Sequence, residues 1–147
     1  DLLTDLLVTV EQLKAASSAP LSICMNPVDK DWLIALKDAG VERVGVGLDC
    51  ATEVLFNEMK PGFSWNRYMQ FIDETIEVFG VDSVHLIAGL GETDEELIQA
   101  FQAFQTFHDK GCTIALFAFM FHNFYNAKAD QVSSQIKRAS LRYLAHR

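Results

Sequence analysis

The sequence predicts an α/β fold in which parallel strands alternate with helices. Four short apolar runs lie at residues 21–25, 43–48, 84–88 and 113–119, and segments with helical apolar spacing separate them. A strand, a helix and a second strand in succession require a crossover connection, which favours parallel pairing. Half of the 147 residues are apolar, enough to bury one core, so we expect a single domain over residues 1–147.

Residues 1–20 are predicted to form a helix that ends in a loop before Pro20. Apolar residues recur there at helical spacing, namely Leu2, Leu3, Leu6, Leu7, Val10 and Leu13. The chain starts at Asp1 and its first methionine is Met25, while the helical pattern begins at once. We therefore expect a fragment or a truncated piece of a longer protein.

The first βα unit begins with a short strand, Leu21–Met25. Asn26 and Pro27 stop that strand, because proline cannot continue the hydrogen-bonded ladder. Asp29 is then the predicted N-cap of a helix that Gly40 closes. Strand and helix thus alternate from residue 21 onward.

The second unit has a strand at Arg43–Leu48 and a short helical segment at Ala51–Met59, which ends at a proline and glycine pair. A longer helix follows, for which Ser64 is the predicted N-cap and Gly80 the end. Its apolar side is formed by Trp65, Tyr68, Ile72, Ile76 and Phe79.

The third strand begins at Val84 and runs into the glycine turn Gly89-Leu90-Gly91. Thr93 and Glu96 follow with the spacing of a capping box, which marks the start of a helix. Such a junction places glycine backbone and unpaired helix N–H groups at the carboxyl end of a strand, where α/β folds bind ligands. The alternative is a glycine turn that binds nothing.

The last helix of the repeat is predicted from Asp94 to Lys110, with Gly111 at its end and a strand from Thr113 to about Phe119 after it. Its buried residues are predicted to be Leu97, Phe101, Phe104 and Phe107. Residues 121–147 are predicted to form an irregular segment and then a helix.

The two faces of the predicted strands differ in chemistry. Side chains alternate across a strand, so Val44, Val46 and Leu48 share one face, while two glycines and Asp49 share the other. The first and third strands divide in the same way. If the apolar faces lie under the helices, the other faces line a lumen that contains Ser22, Cys24, Asn26, Asp49 and His85. Small residues leave room for a ligand there, whereas a filled barrel interior prefers bulky branched residues.

Composition excludes several partners. A net charge of -8 without a Lys/Arg cluster argues against nucleic acid. No apolar run reaches membrane-span length, and no secretion signal is present, so we expect no membrane partner and a cytoplasmic location. Cys24, Cys50 and Cys112 are too far apart for a CxxC-type metal knuckle, and an odd number suits a reducing compartment. We expect small buried thiols and no metal site.

Three segments taken together point to a family: Val46-Gly47-Leu48-Asp49, then Ala51-Thr52-Glu53, then the run from Leu86 to Thr93. They resemble the later barrel strands of radical S-adenosylmethionine enzymes, especially the biotin-synthase-like group, and the spacing to Leu116–Phe119 is similar too. The resemblance covers residues 20 to 120. It implies part of a (β/α)6 barrel of the TIM type, of which this chain would hold strands three to six.

In that family a CxxxCxxC trio binds a 4Fe–4S cluster, which reductively cleaves S-adenosylmethionine to a radical that abstracts hydrogen from the substrate. This sequence has no such trio. The resemblance therefore implies the C-terminal part of a core barrel, with the cluster ligands upstream of Asp1 in a parent protein. It implies binding of S-adenosylmethionine and a small-molecule substrate, with no activity as a fragment.

The resemblance also implies roles for five residues. Asp49 matches an acidic position at a strand end, where it would accept hydrogen bonds from ribose hydroxyls; the alternative is a cap for the next helix. Ile87, Gly89 and Glu92 match a Gly-x-Ile-x-Gly-x-x-Glu pattern whose backbone contacts adenine. His85 stands where that pattern has glycine, and it faces substrate or cofactor unless it is a hydrogen-bonded core histidine.

Two other classes of function remain open at this point. One is a non-catalytic α/β module that binds a nucleotide-like ligand or a partner protein. The other is an ordinary hydrolase or aldolase, but the sequence shows no nucleophile elbow and no His-x-x-x-His pair. None of the residues predicted to line the lumen is a lysine. If the first two barrel strands are missing, an unpaired strand edge and open apolar surface predict self-association of the isolated chain.

Overall fold

In the computed structural model, which describes residues 1–80 and 82–119, four parallel strands form one sheet. They are β1 (Ser22–Met25), β2 (Arg43–Asp49), β3 (Asp82–Ala88) and β4 (Cys112–Ala118). Each strand pairs in parallel with the next one along the chain, in the order β1-β2-β3-β4. The predicted α/β class is confirmed, and the prediction for residues 121–147 lies outside the described residues.

Helices connect the strands, and those of the described part are α1 (Leu2–Ala16), α2 (Lys30–Asp38), α3 (Glu53–Met59), α4 (Trp65–Phe79), α5 (Asp94–Ala103) and α6 (Gln105–His108). The single helix predicted from Asp94 to Lys110 is wrong. The chain breaks at Phe104, whose ψ of -2° departs from the helical value and whose side chain is buried. Burial of that ring thus coincides with the turn between α5 and α6.

Most predicted helix ends are confirmed by hydrogen bonds. Ser64 accepts from the Arg67 N–H, and Gly80 ends α4 with a left-handed φ of 75°. Thr93 forms the predicted capping box. Asp29 stands at the N-cap of α2, but its side chain makes no capping hydrogen bond, so that part of the prediction is wrong.

The core lies between the helices and one face of the sheet. Its fully buried side chains come from the apolar faces of β2 and β3 and from α4, and they include Val44, Val46, Leu48, Val84, Leu86, Tyr68, Phe71 and Ile72. The apolar stripe of α1 is covered much less, because only Val10 is buried while Leu2 is 83% exposed. Self-association of the chain stays a prediction.

No helix among residues 1–80 and 82–119 is both long enough and apolar enough to span a membrane.

Asp82 is a buried acid at the start of β3, with 1% of its surface exposed. Its Oδ1 accepts from the Ser83 N–H at 2.6 Å, and its Oδ2 lies 2.5 Å from Thr75 Oγ1. Thr75 Oγ1 also lies 2.8 Å from the carbonyl oxygen of Ile72. The Thr75 hydroxyl donates to Asp82, and the Ile72 carbonyl lies within reach of the same hydroxyl. Burial raises the pKa of Asp82 to about 6, and its hydrogen bonds offset this only in part.

Asp82→Asn should flatten the dependence of stability on pH. The folded-state pKa of Asp82 lies above the unfolded value of about 4, so the folded chain holds the proton more tightly between these values. In the parent chain, the free energy of unfolding should fall by roughly 2 kcal/mol as the pH rises from 4 to 6 and should then level off, whereas Asp82→Asn should lack this fall. Urea titrations at several pH values test this, with the exposed Asp73→Asn as control. Parallel profiles for parent and Asp82→Asn would contradict it.

Candidate functional site

The polar face of the sheet carries four of the five residues predicted to line the lumen, while Asn26 follows β1 and binds the buried Tyr68 instead. The side chains of Val44, Val46 and Leu48 are fully buried on the helix side, whereas the opposite face is partly open. That open face carries Ser22, Cys24, Gly45, Gly47, Asp49, Ser83, His85 and Ile87. Parallel strands end at one edge of the sheet, so the last residues of β1, β2 and β3 approach one another there.

Asp49 ends β2 in a strained conformation. Its φ is 67°, and it is the one non-glycine residue with positive φ among those that the structure describes. The Cys50 N–H donates to the Leu48 carbonyl at 2.8 Å across Asp49, which is the hydrogen bond of a γ-turn. The β2–β3 register also shifts between Gly47 and Asp49. Such conformations cost about 1–3 kcal/mol and concentrate at functional sites.

The Asp49 side chain is held by Lys60, which follows α3. Lys60 Nζ lies 2.8 Å from Asp49 Oδ2, donates to the Gly47 carbonyl and lies 3.3 Å from Tyr68 Oη. Tyr68 Oη donates in turn to Asn26 Oδ1 at 2.8 Å. Burial alone would lower the pKa of Lys60, but its hydrogen bonds to Asp49 and Tyr68 raise the pKa overall. The lysine therefore stays charged at neutral pH.

This network corrects the sequence analysis in two ways. No lysine was predicted among the residues that line the lumen, yet the ammonium group of Lys60 reaches the carboxyl end of β2. Asp49 was considered as a possible helix cap, but Thr52 is the N-cap of α3 and accepts from the Leu55 N–H at 3.3 Å. The carboxylate of Asp49 is therefore engaged by a cation rather than by a helix N-terminus.

His85 connects two polar side chains on the same face. Its Nδ1 lies 3.6 Å from Cys24 Sγ, and its Nε2 lies 3.2 Å from Ser83 Oγ. The ring also packs edge-on against Phe117, at 5.4 Å between centroids. A side chain at Gly45 would lie 3.0 Å from the imidazole, so glycine is needed there for the ring to lie on the sheet.

Cys24 is exposed, so the prediction of a buried core thiol is wrong at this position. The strand β1 lies at an edge of the described sheet, and its polar face is not covered there. Desolvation raises the pKa of the Cys24 thiol, and the charge of Asp49 raises that pKa further. The thiol is therefore neutral at pH 7 rather than an activated nucleophile.

Glu92 organises the glycine turn after β3. Its carboxylate accepts from three consecutive backbone N–H groups, those of Gly89 at 2.5 Å, Leu90 at 3.0 Å and Gly91 at 3.2 Å. At the adjacent helix start, the capping box takes the N–H groups of Thr93 and Glu96. Five backbone N–H groups at this junction are therefore satisfied by the side chains of Glu92, Glu96 and Thr93, and they are not available to an anionic ligand.

The backbone around Ile87 borders the open end of β2. Pairing between β2 and β3 stops at Asp49 and Leu86, whereas β3 continues to pair with β4 through Ala88. The Ala88 carbonyl accepts from the Phe119 N–H, so the polar groups of Ala88 face β4. Because these groups alternate along a strand, those of Ile87 face the side where β2 has ended.

Together these residues surround a space above Gly47. A carbon built at the Cβ position of Gly47 would lie 3.7 Å from Asp49 Oδ1 and 3.8 Å from Cys24 Sγ, which is ordinary contact distance. The space is bordered by a carboxylate oxygen and by strand-end backbone, which suit hydroxyl and ring-nitrogen donors and acceptors. These acceptors and backbone groups are compatible with the hydroxyls and the polar ring of a nucleoside.

By its fold the protein is a βα-repeat protein of the TIM-barrel class. The crystal structure of methylornithine synthase superposes on 80% of this chain and 34% of that one, with a TM-score of 0.72 at 14% identity, a likeness of fold alone. Residues 1–104 match the sequence model of the Radical SAM superfamily, and the chain belongs to that superfamily. The resemblance read from the strand segments is confirmed.

Two lipoyl synthases are also similar in sequence. The one from Cutibacterium acnes is 32% identical over 74 residues, which are 50% of this chain and 22% of that protein. The one from Nocardia farcinica is 28% identical over 105 residues, which are 71% of this chain and 29% of that protein. The chain thus spans less than a third of the length of these relatives.

The family implies a 4Fe–4S cluster, but the cysteines of this chain do not fit one. Cys24 lies on β1, Cys50 follows β2, and Cys112 begins β4. Burial raises the pKa of the Cys50 thiol to about 11 and that of Cys112 to about 12, which disfavours the thiolates that iron requires. In residues 1–80 and 82–119 no group of three metal-ligating side chains is close enough to hold a metal.

Proposed function

We propose that this chain supplies the nucleoside-binding side of a radical SAM enzyme, with S-adenosylmethionine as the cofactor and a small molecule as the substrate. The observation that carries the proposal is the carboxylate of Asp49, held by Lys60 at the end of β2 on the partly open polar face of the sheet, with its Oδ1 turned toward Gly47. Family membership supports it, since radical SAM enzymes use this cofactor. In this family the electron that cleaves S-adenosylmethionine to a substrate-activating radical comes from a 4Fe–4S cluster, which the cysteines of this chain would not hold.

The residues of this chain would bind and orient the cofactor. Asp49 Oδ1 would accept hydrogen bonds from the ribose hydroxyls, and the strand-end backbone of Ile87 and Gly89 would contact adenine. Glu92 would act indirectly, by fixing the turn that follows β3. His85 would face the ligand from the polar side of β3, beside Cys24. No step of the reaction is assigned to these side chains.

Asp49→Asn should weaken binding of S-adenosylmethionine and of S-adenosylhomocysteine about tenfold or more. The change removes charge-assisted hydrogen bonds, each worth about 1.5–3 kcal/mol, while asparagine still adopts a positive φ. Isothermal titration calorimetry gives the affinity, and thermal unfolding gives the stability. The Asp73→Asn control breaks the exposed ion pair with Lys110 and should leave binding unchanged.

The opposite pattern would count against the proposal. If Asp49→Asn keeps its affinity while its melting temperature drops sharply, Asp49 has a purely structural role. The non-catalytic α/β module would then be the better interpretation of this chain.

A further inference from the structure

Lys60 is enclosed to an unusual degree for a lysine that follows a short helix. Only 17% of its side chain is exposed, and its ammonium lies 4.8 Å from the ring centre of Tyr68, 5.8 Å from that of Phe56 and 6.0 Å from that of Phe63. Three rings and the polar partners described above therefore fix the position of a single charge. A lysine that served only solubility would not be held in this way.

Because Lys60 is held in this position, the two oxygens of the Asp49 carboxylate have different surroundings. Oδ2 is paired with Lys60, while Oδ1 borders the space above Gly47. Because the lysine already balances the charge of Asp49, an incoming ligand meets a neutral ion pair in which no residue of 1–80 or 82–119 engages Oδ1. A neutral hydroxyl can donate to that oxygen, whereas an ammonium group would also meet repulsion from Lys60.

We propose that Lys60 is the positioning residue of this site, and that it makes Asp49 select a neutral vicinal diol over a cationic amine. The inference rests on the proposed function, because it concerns how the same carboxylate recognises its ligand. Lys60 lies outside the three segments, residues 46–49, 51–53 and 86–93, on which the resemblance to the family was based. Tyr68 accepts a hydrogen bond from Lys60 and donates one to Asn26. Through Tyr68, the loop after β1 is therefore connected to Lys60.

The chain offers a matched control in Lys110. Its Nζ lies 2.6 Å from Asp73 Oδ1 and 5.7 Å from the ring centre of Phe107, so it also combines an aspartate with an aromatic ring. Its side chain is 54% exposed, however, and the pair lies on the surface. Lys110→Met therefore removes the same kind of interaction without touching the site.

The test compares the parent chain with Lys60→Met, Lys60→Arg and Lys110→Met. Methionine keeps the apolar stem among the rings but removes the charge, and arginine restores the charge. The probes are adenosine and 3′-amino-3′-deoxyadenosine, titrated by calorimetry at pH 6, where the amine is protonated. The carboxyl carbon resonance of Asp49 is recorded in each variant without ligand.

Lys60→Met should shift the preference for adenosine over the amino nucleoside by about tenfold toward the amine, equal to about 1.4 kcal/mol. Lys60→Arg should restore the preference, Lys110→Met should not change it, and the Asp49 resonance should move only in Lys60→Met. Equal weakening of both probes would show a merely structural role and overturn the inference. If Lys60→Met does not fold, Tyr68→Phe takes its place in the test. This variant keeps the aromatic ring in the core but loses the hydroxyl next to Lys60, so the preference should shift in the same direction by a smaller amount.

The two proposals fail in different ways. If the parent binds neither nucleoside, the proposed function is wrong. The Asp49 resonance then decides the positioning role alone: a change in Lys60→Met supports it, and an unchanged resonance overturns it.

Discussion

Replacing Glu92 with alanine should lower the free energy of unfolding by about 3 kcal/mol. One carboxylate accepts from three consecutive N–H groups of the glycine turn, and hydrogen bonds to a charged group are worth about 1.5–3 kcal/mol each. Water can replace part of this because the turn is partly exposed. Without Glu92, Gly89 and Gly91 would return to the wide conformational range of glycine.

Urea unfolding measures the loss, and hydrogen exchange of the amides at residues 89–91 localises it. Glu92→Gln keeps an acceptor oxygen but loses the charge, so its loss should be intermediate. Glu95→Ala, an exposed residue in the first turn of α5, is the control and should change little. Unchanged exchange at the three amides in Glu92→Ala would contradict the assigned role.

Gly111→Ala should destabilise the fold by about 3–4 kcal/mol, the largest loss that we expect from adding one methyl group. Gly111 has a φ of 107°, a conformation that side-chain-bearing residues rarely adopt. A Cβ at this position would also lie 2.7 Å from the carbonyl oxygen of Gly80, which is backbone and cannot rotate away. Strain and overlap therefore add at the junction between α6 and β4.

Gly62→Ala separates the two contributions. Gly62 has a φ of 91°, but nothing lies within 4 Å of the added carbon, so only the strain of about 1 kcal/mol should remain. Thermal unfolding of both variants gives the difference. Equal losses in Gly62→Ala and Gly111→Ala would show that the contact with Gly80 is relieved by a backbone shift.

Local features of the chain were predictable because their physical causes are local. The alternation of Val44, Val46 and Leu48 with small residues followed from strand geometry and fixed the two faces of β2. The capping box at Thr93 follows from residues three positions apart. Strand order was also accessible, since each crossover favours a parallel neighbour.

Other features of the site were not predictable, because they depend on contacts between residues that are far apart in the sequence. Lys60 reaches Asp49 only because α3 ends above the carboxyl end of β2, a placement that periodicity cannot give. Glu92 was matched to a motif, but its three backbone partners became visible only in the turn itself. Cys24 was expected to be buried because cysteine usually is, and its exposure follows from the position of β1 at a sheet edge.

The sequential order of the four described strands bears on how the chain acquires its structure. Ser22 pairs with Arg43, Val44 with Asp82, and Asp82 with Cys112, so each of the three strands after β1 pairs with the strand made just before it. Loop closure between such neighbours carries a modest entropy cost. None of these strands has to wait for a distant segment, so synthesis at the ribosome can add them to the growing sheet one at a time, from the N-terminal unit onward.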